Sequence, residues 1–95
     1  MLDVTTRGLL ERTIDEAKAV IPGALMKARE TTKEMHIQNS EDYTLGLAIG
    51  YIIGKFAAFF AMLYRRSTDE QELKEVREVI FNRTAELRET IFKTG

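Results

Sequence analysis

The chain has no cysteine and no tryptophan, and only one proline and one histidine. Without cysteine it can form no disulfide, no thiol nucleophile and no thiolate metal site, which fits a reducing, cytoplasmic setting. One proline and six glycines in 95 residues are too few turn formers for a β-rich protein of this size. Neither sign of charge dominates: 14 basic and 15 acidic residues leave a net charge of −1. Such a balance makes no electrostatic case for nucleic acid or anionic lipid. The N-terminal residues carry an acid at Asp3 and no apolar run, so they do not read as a signal peptide.

What is present is an ordinary folded composition, 44% apolar and 31% charged. The length predicts a single helical domain over 1–95. A core this small is thin, and a partner subunit would bury more surface.

The segment Tyr43–Tyr64, YTLGLAIGYIIGKFAAFFAMLY, is almost wholly apolar, with Lys55 as its one charge. Around it, apolar residues recur at helical spacing. Leu10, Ile14, Ala17, Ile21, Ala24, Ala28 and Met35 form one stripe. Leu73, Val76, Ile80, Thr84, Leu87 and Ile91 form another. The pattern predicts an all-α, up-down bundle of three long helices over 5–37, 40–64 and 68–92. The first is kinked or split at Pro22-Gly23, because the stripe keeps its phase through a proline on the polar side. Asp3, Thr5 or Thr6 is expected to cap the first helix and Asn39 or Ser40 the second. Ser67 with Glu70 fits a capping box for the third.

The central helix has three faces. Gly46, Gly50, Gly54, Ala57 and Ala61 form a ridge of small residues; Leu45, Ile49, Ile52, Phe56, Phe59, Phe60 and Leu63 form a bulky face. Thr44, Tyr51, Lys55 and Arg66, with Ala48 and Met62 between them, form a strip expected to face solvent. Glycine inside a helix costs up to about 1 kcal/mol relative to alanine, so three in register invite a reason. Close approach to another subunit supplies one; accommodation of Phe81 or Phe92 within the same chain supplies another. Phe81, Ala85 and Phe92 lie outside the main stripe of the last helix, which implies a second neighbour. The expected interface residues are therefore Gly46, Gly50, Gly54, Ala57, Ala61, Phe81 and Phe92, and Gly50→Leu is expected to disrupt fold or assembly.

Twenty-two apolar residues also suffice to span a bilayer, which makes a single-span membrane protein, with 43–64 as the span, the competing reading. Lys55 near the midpoint and two amphipathic helices that need a core argue instead for a soluble bundle.

Chemistry-bearing patterns are sparse. His36 sits in KEMHIQ with Lys33, not Glu, three residues before it, so the Glu-x-x-His ligand pattern of di-iron bundles is missing. Ser40 and Ser67 are the only serines and read as caps. The glycines lie within a helix, not in a phosphate-binding loop. Lys74, Arg77, Arg83 and Arg88 are interleaved with acids, unlike a phosphate-binding patch. Arg12 and Arg29 have a separation similar to that of two active-site arginines of the small all-helical chorismate mutases. The resemblance ends with that helix. Ser40 stands near the place of the family's lysine, and an apolar segment replaces its charged second helix, so no family is assigned. No catalytic, cofactor or metal residue is expected. The expected role is a non-catalytic structural, adaptor or regulatory module acting through helix–helix association, with itself as a homodimer or larger, or with a protein partner. An enzyme with a site between subunits ranks third.

Overall fold

The computed structural model describes residues 2–94 and contains three helices packed on one another, with no strand among those residues. They are α1 (Val4–Glu34), α2 (Ser40–Tyr64) and α3 (Glu70–Thr94). The molecule is elongated, with extents of 40 × 24 × 18 Å.

α1 runs unbroken through Pro22, which lies exposed. Proline there removes the bond to the carbonyl four residues earlier and crowds it, and on the open side that carbonyl can tilt outward to water. The Asp3 carboxylate caps the helix by accepting from the Thr6 backbone N–H at 2.7 Å. That bond, first among several, holds the Asp3 carboxyl below its usual range. The helix ends at Glu34, short of the expected 37, and exposed His36 takes a left-handed conformation with φ of 59°. Met35 is consequently outside the helix and exposed, and Leu25, not Ala24, fills the core position after Ile21.

Asn39 caps α2, accepting from the Asp42 N–H at 2.9 Å. Glu41 and Asp42 sit in its first turn, at the positive end of the helix dipole. Arg65, in the left-handed region, closes its C-terminus.

The capping box of α3 is Asp69 with Glu72, not Ser67 with Glu70. The Asp69 carboxylate accepts from the Glu72 N–H at 2.8 Å, and Glu72 Oε1 accepts from the Asp69 N–H at 3.0 Å. Arg66 selects this register by donating a fork of two bonds to Glu72, at 2.7 and 2.9 Å. Its guanidinium also lies 4.9 Å from the Phe60 ring centre. The Arg66 fork, then the Asp69 N–H, holds the Glu72 carboxyl at about 2, against an ordinary 4.5. Because the folded value is depressed, the stabilisation is complete above pH 4.5 and is lost as pH falls toward 2. Glu72→Gln is therefore expected to flatten the pH dependence of stability across that window, as read by urea melts at several pH values. An unchanged slope would mean that Glu72 is not held in this way.

The core joins all three helices: Leu10, Ile14, Ala17, Ile21 and Leu25 from α1, Leu45, Ile52, Phe56 and Phe60 from α2, and Val76, Val79, Ile80, Leu87 and Ile91 from α3. Four threonines are buried with it. Thr13 donates to the Leu9 carbonyl and Thr44 to the Ser40 carbonyl. Thr32 bonds Ser40 at 2.9 Å, and Thr6 bonds the Tyr64 hydroxyl at 2.7 Å. No buried side-chain polar atom among the described residues lacks a partner, as a stable interior requires.

Candidate interaction surface

The bulky face of α2 turns inward: Leu45, Ile52, Phe56 and Phe60 are buried, Ile49 and Phe59 half-buried, and Leu63 near its end exposed. The strip expected in solvent lies there only in part: Tyr51, Met62 and Arg66 are exposed, but its N-terminal members are not. Thr44 is only 1% exposed and Ala48 is buried; both line the α1–α2 seam with Ala17, Ile21 and Ala24. Lys55 reaches across that seam to Glu16 on α1 and also donates to the Tyr51 hydroxyl. The Glu16 bond, then the Tyr51 bond, raises the Lys55 pKa. The N-terminal half of the strip is thus the contact with α1. Thr44 bonds its own backbone, Ala48 permits close approach, and the one cation finds an acid on the neighbouring helix.

The small-residue ridge therefore points outward. Gly46, Gly50, Gly54, Ala57 and Ala61 are all exposed. A Cβ added at Gly46, Gly50 or Gly54 would meet nothing within 4 Å, so these glycines do not accommodate Phe81 or Phe92 of the same chain. Those two rings are themselves 80% and 76% exposed. Gly50→Leu is accordingly expected to leave the packing of the single chain intact, with any effect confined to association.

The outward face of α2 carries no charge between Tyr43 and Tyr64, because Lys55, the only charge in that stretch, turns toward Glu16. At 1.5 Å per residue the uncharged strip is about 31 Å long. It continues into an apolar groove of about 240 Å³ against α1, lined by Ala17, Val20, Ala24, Leu47 and Tyr51. On the other side, Phe92 of α3 lines a hollow with Asp42 and Leu45 of α2. α2 is also long and apolar enough to cross a membrane, and only 28% of its most apolar window, of mean hydropathy 1.8, is buried.

The residues that an enzymatic site would need are dispersed. Arg12 lines a groove of about 600 Å³ with Leu9, Leu63 and Tyr64, which includes neither Arg29 nor Lys55. Among the described residues no group of three or more acids or histidines could hold a metal ion. The best-formed charge cluster is structural. Arg83 of α3 donates to Asp15 at 2.6 Å, to Glu86 at 2.9 and 3.0 Å, and to the carboxylate and carbonyl of Glu11 at 3.2 and 3.1 Å, tying α3 to α1. Tyr64 similarly ties the end of α2 to the start of α1, donating to Asp3 at 2.8 Å. Sequence reading missed both ties, since each joins residues more than sixty positions apart with no periodic signal.

No protein-family model matches this chain, and neither a curated protein nor a solved structure is significantly similar to it. The functional reading therefore rests on the surface itself.

Proposed function

We propose that the protein is a non-catalytic helical module, structural, adaptor or regulatory, that acts through helix–helix association in the cytoplasm. In this reading the three helices form an up-down bundle completed by another subunit. The observation that carries it is the outward face of α2: an uncharged strip of glycine, alanine and a few larger apolar side chains, with nothing from the same chain upon it. Water does not favour so long an unbroken apolar face on a monomer. Small residues let another backbone come close.

The test is sedimentation of the wild type beside Gly50→Leu. The wild type is expected at twice the chain mass of 10.9 kDa or more, with a melting temperature that rises with concentration. Gly50→Leu is expected at the chain mass with its helical circular dichroism retained. A wild type that sediments at 10.9 kDa across a hundredfold dilution, with an unchanging melting temperature, overturns the reading. The second reading is a membrane-associated protein, favoured by the same apolar face and the length of α2; recovery only by detergent extraction would select it.

A further inference from the structure

We propose that the occupant of this face is a second copy of the chain, seated antiparallel along α2 about a two-fold axis between Ile53 and Gly54. The inference rests on the association reading above and specifies its partner and register.

Surface area supplies the first argument. The protein exposes 6474 Å², against about 5,600 Å² for a compact monomer of its 10.9 kDa. The excess, about 900 Å², is close to the roughly 800 Å² that each partner buries in a standard stable interface.

The chemistry of the face supplies the second. A lipid surface rewards apolar area, and glycine offers almost none. Three glycines in a helix weaken it, and close passage of another helix backbone is what such positions permit. A helix, not a bilayer, is the fitting occupant.

Register and charge supply the third. A two-fold axis between Ile53 and Gly54 sets Gly46 opposite Ala61, Gly50 opposite Ala57 and Gly54 opposite Ile53, so each ridge glycine faces an apolar residue and the flanks pair small with small. The same axis brings Asp42, in the first turn, level with Arg65, the C-terminal cap of the other copy. Among the described residues Arg65 and Glu41 take part in no ion pair, and Asp42 holds Arg88 only at 3.4 Å between two exposed groups. Arg66 lies beyond the helix and already serves Glu72, so Asp42 with Arg65 is the end contact. The antiparallel arrangement also opposes the two helix dipoles. A parallel pair would place acid on acid at one end and arginine on arginine at the other.

Disulfide trapping tests this directly, because the chain has no cysteine of its own. The open space at Gly46 and Gly54 lets cysteine fit without disturbing the fold, and circular dichroism checks that it does. Gly54→Cys is expected to link to itself under mild oxidation. Gly46→Cys is expected not to, since its two copies would lie about 22 Å apart along the axis, beyond the roughly 7 Å that a disulfide spans between Cα atoms. Gly46→Cys mixed with Ala61→Cys is expected to give the mixed dimer. Self-linking of Gly46→Cys as readily as Gly54→Cys overturns the antiparallel seam while leaving association standing. So does a wild-type dimer in which no α2 cysteine links. A monomeric wild type removes both proposals. Monomer in buffer with co-flotation on phosphatidylcholine vesicles assigns the face to lipid and overturns the second copy.

Discussion

Phe56→Ala is expected to cost about 3–5 kcal/mol of stability. Phe56 is 1% exposed and is the largest of the fully buried side chains. It stands among core residues from all three helices, its ring 6.0 Å from that of Phe60. Truncation removes the favourable transfer of the ring from water and leaves a cavity that three helices cannot easily close. A domain of 95 residues has roughly 5–14 kcal/mol in all, so the variant loses a large share. At about 4–8 °C per kcal/mol, the thermal midpoint falls far enough to read by circular dichroism. Phe81→Ala is the control: its ring is exposed, and in the unassociated chain its loss should lie within about 0.5 kcal/mol. Equal effects at the two positions, measured at dilutions where the chain is monomeric, would mean that α2 presents a different face to the core.

Arg83→Met is expected to cost about 1–3 kcal/mol. Methionine keeps most of the aliphatic stem and removes the guanidinium that bridges Glu11, Asp15 and Glu86. The guanidinium is largely buried, but the three carboxylates are each 41% exposed or more, which screens them and keeps the loss below that of a buried pair. Arg83 holds the Glu86 carboxyl at about 2, and only Lys18, at 3.4 Å, remains beside Glu86 in the variant. Salt should therefore act in opposite directions: it weakens the wild-type bridge and relieves carboxylate repulsion in Arg83→Met. Arg83→Lys should recover the charge but not the fork, and so only part of the stability. A parallel salt response in wild type and Arg83→Met would show that the cluster does not hold α3 to α1.

These effects mark where local pattern is a sufficient guide and where it is not. The stripe of α3 reads off the chain directly, because Val76, Ile80, Leu87 and Ile91 recur at helical spacing, whereas the sequence does not say that Phe81 and Phe92 stay exposed. The capping box is less direct. Ser67 with Glu70 and Asp69 with Glu72 share one spacing two residues apart, and what separates them is the Arg66 fork, a contact across the turn. The proposed surface lies in between. Its residues Gly46, Gly50, Gly54, Ala57 and Ala61 stand out as a ridge in the sequence, but whether the ridge covers a neighbour or faces outward is invisible there.

By itself the sequence determined that the protein is all helical, that it has three helices near these boundaries, and which residues are bulky enough to form a core. Those properties follow from periodicity, capping chemistry and the scarcity of turn formers, all of which act within a few residues. The tertiary structure alone decided the orientation of α2. A helix apolar almost all round has no strong internal preference for a buried side, so its neighbours choose. Packing Leu45, Ile52, Phe56 and Phe60 inward removes the most apolar area from water. Glu16 on α1 gives Lys55 a partner at the seam. Together they draw Thr44, Ala48 and Lys55 against α1 and leave the glycines outside.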